Sequence, residues 1–432
     1  MPAPLVEGLP QFEVPVYGRF ALPGERAEAT SRTGMSIEQA VEILVRRNLE
    51  LRAKAMEIPM ARADVLTAGL RANPILFVDS QMIPYGSYSE SRPGGQTQYD
   101  LNINYPIDVT HKRRARSKVA CAAQRVVEAQ YQDAVRLAID AFHSLYVDAL
   151  AYQESIRLAE ASVEGLRDLE QLTRTEQARG AKTTADIRKI EVQVHAADLG
   201  LAQARAGLVD TERAIAVLLN LPSGQSPGVR GDLRERIPAL PPLEELARLA
   251  STTRPDLAAF RLGAVRACAE IDLAKANRLN DVYVLYQPYT FQDNSPLGLK
   301  SATSWAVGLT IPLPLYNRNQ GNLERSRWNA AQARLEVEDI ERRVMAEVER
   351  TYRTLVVSEA AVERFETQVL PAAREARESS IRLYRLGEEG PSTFFLAQRE
   401  YNAVVSQYLE TLVRRRRSML ELNTVVGQRV MP

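Results

Sequence analysis

The sequence repeats itself. Ser36-Ile37-Glu38-Gln39-Ala40 is answered by Pro242-Leu243-Glu244-Glu245-Leu246, Asn48-Leu49-Glu50-Leu51 by Arg254-Pro255-Asp256-Leu257, and Tyr105-Pro106 by Ile311-Pro312, each at an offset of 206. Gly180 is answered by Gly387 at 207. A duplication of this length constrains the fold before any local reading does, because each half must supply the same elements in the same order. It divides the chain into an extended N-terminal arm (1–34), a first repeat (35–221), a linker (222–241), a second repeat (242–427) and a tail (428–432).

Each repeat opens with a helix. Ser36 and Gln39 form a capping box, and the helix that follows is expected to break near Asn48 and again around Pro59. Asn73-Pro74 ends it near Ala72. A strand pair follows over 74–108. Ile75–Met82 is mixed, whereas Tyr99, Leu101, Ile103, Tyr105 and Ile107 alternate with Asp100, Asn102 and Asn104. That period of two gives one apolar and one polar face, and the Gly/Ser/Pro-rich loop Pro84–Gln96 joins the two strands. In the second repeat the pair spans 281–313. There Trp305, Val307 and Leu309 alternate with Ser304, Ala306 and Gly308 until Pro312 and Pro314 end the ladder, with Gly321 expected to allow the turn into the next helix.

Long helical hairpins then occupy 112–220 and 320–427. Lys112–Ala178 contains no proline and one glycine, and its apolar residues recur at three- and four-residue steps through Leu145, Ala149, Tyr152, Ile156, Ala159 and Val163. Such a helix reaches about 100 Å. Gly180 reverses the chain into a second helix over Asp186–Asn220, and Pro371 is expected to kink the corresponding long helix of the second repeat.

Composition excludes several functions. Lys and Arg total 55 against 54 Asp and Glu, so bulk charge makes no case for nucleic acid. Cys121 and Cys268 match no metal spacing, and His111, His143 and His195 are scattered. No phosphate loop, catalytic triad or paired-histidine site is present, so no catalytic residue, metal site or cofactor is expected. No apolar run approaches the ~20 residues of a spanning helix, and the opening MPAPLVEGLP lacks the regions of a secretory signal.

Four strands cannot close a barrel, and one sheet apolar on one face leaves open edges. Three chains would supply twelve strands. Tyr99, Tyr105, Trp305 and Leu309 would then face lipid, while Asp100, Asn102 and Asn104 would line water. The alternative, a soluble sheet packed on helices, stays open on strand chemistry alone. The helices favour the barrel, because passes of about 100 Å far outreach so small a sheet.

Taken together, the repeat, Asn73-Pro74, the run Ile311-Pro312-Leu313-Pro314-Leu315-Tyr316-Asn317-Arg318-Asn319-Gln320-Gly321, Val369-Leu370-Pro371-Ala372-Ala373 and Tyr384-Arg385-Leu386-Gly387 resemble the TolC-type outer-membrane efflux family across Met35–Gly427. The Ile311–Gly321 run looks most like its heavy-metal (CzcC/CusC-like) branch. The resemblance implies a mainly α fold with a small β part. Long helices would form an α-barrel, and four strands per chain would enter a trimeric twelve-stranded β-barrel in the outer membrane. It also implies a passive conduit loaded by a periplasmic adaptor and an inner-membrane pump. The reversals, Arg179-Gly180-Ala181 and Arg385-Leu386-Gly387, become the tips that touch the adaptor. Family members often place acidic residues just after the second tip. Here those positions are Thr393 and Leu396, so an aperture ring would have to come from Asp186, Glu388 and Glu389. With no methionine or histidine cluster, selection among metal ions would fall to the pump. The missing signal and a start at Met1 instead favour a soluble coiled-coil scaffold, and the lipidated first cysteine that family members commonly carry is not present. A periplasmic adaptor is the third reading, though adaptors carry one hairpin and this chain shows two.

Two charge runs remain. His111, Lys112, Arg113, Arg114, Arg116 and Lys118 open a helix, where the dipole disfavours positive charge, so membrane headgroups or solvent must compensate. Arg414–Arg417 lies within a helix and is expected to pair with neighbouring acids.

Overall fold

The computed structural model describes residues 34–82, 97–180, 182–222, 224–235, 238–295, 298–386 and 388–431. The expected arm therefore falls almost wholly outside the described residues, as does the whole Pro84–Gln96 loop. The chain forms two compact units that cut across the repeats. One contains the chain up to Met56 with Gln130–Ala258 and Ile340–Pro432, and the other contains Glu57–Ala129 and Ala259–Asp339.

The first unit begins with α1 (Ile37–Arg47), where Ser36 Oγ accepts from Gln39 N and Gln39 Oε1 accepts from Ser36 N. Asn48 breaks the helix and restarts it as α2 (Leu49–Ala55). Its Oδ1 accepts from Leu51 N at 2.9 Å, and its Nδ2 donates to the carbonyl of Leu218 at 2.8 Å. The second break differs from the expectation at Pro59. It falls at Met56, and Pro59 is the third residue of α3 (Glu57–Gly69). A first-turn N–H has no intrahelical acceptor, so proline there costs little. The helix also ends at Gly69, three residues before Ala72.

The second unit holds the sheet: β1 (Ile75–Met82), β2 (Thr97–Ile107), β3 (Val282–Asp293) and β4 (Ala302–Thr310). The order is β1-β2-β3-β4 and every pair is antiparallel. The repeats therefore meet at the centre, with Ile107 opposite Val282 and Thr97 opposite Asp293, and β1 and β4 are left as the two edges. Register shifts flank Pro288 on both sides, between Leu101 and Ile103 on β2 and between Gln287 and Thr290 on β3. Proline cannot donate to a ladder, so a central strand carries it only at an irregularity. β4 stops at Thr310, just before Pro312.

The sheet hands over to helices twice. His111 (φ 60) precedes α4 (Lys112–Ala178) and Asn319 (φ 58) precedes α8 (Gln320–Arg364). Gly321 is not the turn residue; it lies inside α8. Asn319 makes the turn because asparagine tolerates the left-handed region, and its Nδ2 is fixed on the carbonyl of Ala274 at 2.9 Å.

α4 is one unbroken helix of 67 residues. After the reversal α5 runs Thr184–Leu218, starting and ending two residues before the expected Asp186–Asn220. The linker leads to α6 (Leu243–Thr253) and α7 (Pro255–Ala276). After α8 a π-helical turn (Phe365–Val369) passes into α9 (Leu370–Arg385), and α10 (Pro391–Val426) completes the chain. The disturbance expected from Pro371 takes this form: proline offers no N–H to the carbonyl of Thr367, and the turn just before it widens. Phe142, Ile139, Ile190, Leu44, Leu246 and Leu412 are fully buried in the first unit.

Candidate functional site

Strand alternation sorts the sheet into two faces. Tyr105, Val284 and Leu309 are opposite one another across three strands, and so are Tyr99, Phe291 and Thr303. Since Thr303, Trp305 and Leu309 alternate in step, Tyr99, Tyr105, Trp305 and Leu309 share one face. All four are exposed, Trp305 at 72%. Tyr99 stacks on Phe291 with ring centroids 6.3 Å apart. Asp100, Asn102 and Asn104 occupy the other face. Asp100 is buried, accepting from Gln98 Nε2 at 2.7 Å and Gln287 Nε2 at 2.9 Å. An apolar face with exposed Tyr99, Tyr105, Trp305 and Leu309 opposite a polar face with a buried, hydrogen-bonded Asp100 inverts the pattern of a water-soluble sheet.

In the first unit the two helix reversals come together. Gly180 has φ +78, and a Cβ placed there would meet nothing within 4 Å, so the conformation rather than crowding requires glycine. Arg179 is exposed beside it. Ala181 and Gly387 lie outside the described residues, as does the side chain of Arg385; Leu386 is 67% exposed. Tyr384, which sequence reading noted only as part of a motif, joins the two hairpins. Its hydroxyl lies 3.2 Å from Thr173 Oγ1, and Lys182 Nζ stands 4.2 Å above its ring.

The carboxylates near the reversals are placed differently from one another. Asp186 caps α5. Its Oδ2 accepts from Thr183 Oγ1 at 2.8 Å and from Thr183 N at 3.1 Å, and these bonds hold its carboxyl below the usual range. Glu388 is exposed, and Glu389 accepts from Ser380 Oγ at 3.3 Å. Thr393 is exposed. Leu396 lines a shallow cavity of about 390 Å³ with Phe395, Val192 and Arg399.

Of the two basic runs, one is largely neutralised within the chain, at three of its four arginines. Arg415 pairs with Glu359 at 3.3 Å, Arg416 with buried Glu235 at 2.6 Å, and Arg417 with Asp148 at 2.5 Å. At the start of α4 the compensation is partial. Asp108 accepts from the N–H groups of Lys112 and Arg113 at 2.8 Å, Lys112 pairs with Asp281 at 2.8 Å and Lys118 with Asp272 at 2.9 Å.

Two buried polar nodes in the first unit went unread in the sequence. Arg254 reaches Glu347 at 2.6 Å, Asp256 Oδ1 at 3.0 Å and the carbonyl of Val425 at 3.2 Å. Burial raises the Asp256 carboxyl, but Arg254, Arg136 and the Leu257 N–H together outweigh it and the net shift is downward. His143, wholly buried, is pushed to about 3 by desolvation and then by Arg416 and Arg429, so it stays neutral. Beside it the Tyr146 hydroxyl donates to the carbonyl of Arg230. Glu347, Arg416 and Arg429 come from distant parts of the sequence, and no spacing rule links them to Arg254 or His143.

Among the described residues no three metal-ligating side chains cluster, and no helix is long and apolar enough to cross a membrane. The arrangement carries surfaces and a sheet open at both edges.

Comparison with known proteins gives these surfaces a setting. The model of the outer membrane efflux protein family matches residues 40–221 and 246–428, one stretch per repeat. The cobalt-zinc-cadmium resistance protein CzcC of Cupriavidus metallidurans is 25% identical over 403 residues, covering 91% of this chain and 90% of that protein. The pyoverdine export outer membrane protein OpmQ of Pseudomonas putida is 25% identical over 395 residues, covering 87% and 78%. Among solved structures, CusC superposes with a TM-score of 0.76 at 16% identity over 96% of this chain and 99% of CusC. With both repeats matched by one family model and the fold of an outer-membrane channel retained end to end, the chain belongs to the outer membrane efflux protein family and is an outer-membrane efflux channel.

Proposed function

We propose that three copies of this chain close a twelve-stranded barrel in the outer membrane and a helical conduit in the periplasm, through which an inner-membrane pump and an adaptor discharge metal cations. The observation that carries this reading is the sheet with its two open edges and one exposed apolar face. Such a sheet is a liability unless copies pair edge to edge and lipid covers the face. Tyr99, Tyr105, Trp305 and Leu309 then meet lipid, and Asp100, Asn102 and Asn104 line the lumen. The reversals Arg179-Gly180-Ala181 and Arg385-Leu386-Gly387 touch the adaptor. Asp186, Glu388, Glu389 and Thr393 stand near the aperture, with Glu388 and Glu389 the carboxylates freer to attract cations, since Asp186 is committed to its helix cap. The cargo follows CzcC, whose name records cobalt, zinc and cadmium resistance.

The test is fractionation followed by sizing. The full-length exported protein is expected in outer membranes as a detergent-resistant trimer, and recovery as a soluble monomer would defeat the reading. A strain lacking the protein is expected to gain sensitivity to cobalt, zinc or cadmium; unchanged sensitivity to all three would remove the cargo assignment alone.

A further inference from the structure

The helix end of the sheet is strongly basic and the opposite end is not. The ten residues flanking each strand on its helix side (65–74, 108–117, 272–281 and 311–320) hold eight Lys or Arg against three Asp or Glu, a surplus of five in a chain whose total is +1. The loops at the other end, 83–96 and 294–301, hold two Lys or Arg against one Glu.

All three acids at the basic end are engaged: Asp108 on the first N–H groups of α4, Asp281 on Lys112, and Asp272 on Lys118 and Lys275. Arg71, Arg113, Arg114, Arg116, Arg278 and Arg318 remain, all exposed and all without a carboxylate at ion-pair distance among the described residues. Exposed apolar groups stand between them: Leu70 at 56%, Leu313 at 72%, Leu315 at 65% and Tyr316 at 91%. A solvated charged face has no use for Tyr316 and two leucines in the open, whereas a bilayer interface takes apolar groups, tyrosine and guanidinium at one depth. The unpaired charges are all arginine, whose planar fork meets phosphate oxygens in pairs.

Resting on the barrel reading above, we propose that this end is a lipid-anchoring belt. Its six arginines bind the phosphates of anionic phospholipid in the leaflet where strands pass into helices, and Leu313, Leu315 and Tyr316 seat in the adjoining interface. The belt fixes the depth and orientation of the barrel, because only one end of the sheet carries it.

Spin-labelled phosphatidylglycerol and phosphatidylcholine are compared for association with the protein reconstituted in vesicles. Wild type is expected to prefer phosphatidylglycerol on the order of tenfold, with the preference falling as salt is raised. Arg113→Gln, Arg114→Gln and Arg116→Gln together are expected to bring it close to parity, while the corresponding Lys substitutions retain most of it and guard against a folding defect. Equal association of both lipids with a wild-type protein that still assembles in the membrane would overturn the belt and leave the channel standing. Loss of preference on adding millimolar inorganic phosphate at constant ionic strength would also overturn it, since free phosphate would then be the better ligand.

Discussion

The two repeats solve one structural problem with different chemistry. In each, the first helix breaks and its break point is tied to the carbonyl near the end of that repeat's last helix. Asn48 donates to Leu218, and 206 residues later Arg254 donates to Val425, 207 beyond Leu218. The amide of Asn48 does this alone and caps α2 with its oxygen. The guanidinium of Arg254 does it as a buried cation and has to be satisfied by Asp256 and Glu347 as well. The residue ending each last helix differs in the same sense, Asn220 at φ 51 in the first repeat and Gly427 at φ 80 in the second. Geometry was kept through the duplication while the groups supplying it diverged. Neutral and charged solutions differ in what happens when they are broken.

The largest effect is expected at Arg254. Arg254→Ala leaves part-buried Asp256 with only Arg136 at 3.6 Å and the Leu257 N–H, and frees a carbonyl, costing about 3 kcal/mol, whereas Asn48→Ala removes a cap and one further bond for about 1–2 kcal/mol. Denaturant melts of the two variants measure the gap, and equal losses would break the comparison. Gly427→Ala comes next. The added Cβ would sit 3.0 Å from Arg254 Cα at a φ that L-residues resist, for about 1–3 kcal/mol; Asn220→Gly is expected to stabilise slightly or not at all.

Acid sharpens the contrast further. Because the Asp256 carboxyl is held below its ordinary 3.8 in the folded chain, its stabilising contribution is present above that value and fades as pH falls through the lower folded value. The second-repeat node is expected to weaken below about pH 4, and Asp256→Asn to flatten that part of a pH-dependent melt. The Asn48 bonds have no such dependence. The smallest effect separates the two sheet-to-helix junctions. His111→Gly relieves a left-handed residue and is expected to be stabilising by up to ~1 kcal/mol, while Asn319→Gly also gives up the bond to Ala274 and is expected to be neutral or worse.

Much of this was legible beforehand because the relevant forces are local. Alternation in Tyr99–Ile107 and Trp305–Leu309 placed the strands and sorted their faces, and the proline-free run Lys112–Ala178 gave α4 its length. Position within an element was harder. Pro59 was read as a breaker because its rank in α3 depends on where Met56 ends the preceding turn. Gly321 was read as the turn because glycine is the default left-handed residue, while Asn319, which makes it, is held by an acceptor 45 residues earlier. Arg254 acts through Glu347 and Val425 as well as nearby Asp256, and His143 and Tyr384 through partners far away in sequence, which periodicity does not address. Asp186 shows the reverse case, a carboxylate singled out for an aperture whose oxygen is occupied at its own helix start.

The sheet has its two inner strands from different repeats and its two outer strands free, and the strands alternate in direction from β1 to β4. In the proposed ring the last strand of one copy would therefore meet the first strand of the next antiparallel, whatever the number of copies. Hydrogen bonding alone does not count subunits; curvature has to. It follows that the contact pairs unlike edges, β4 of one copy with β1 of the next, and that a copy with only one edge blocked would still join a neighbour through the other. Such a copy would act as a chain terminator, leaving wild-type subunits in rings that never close.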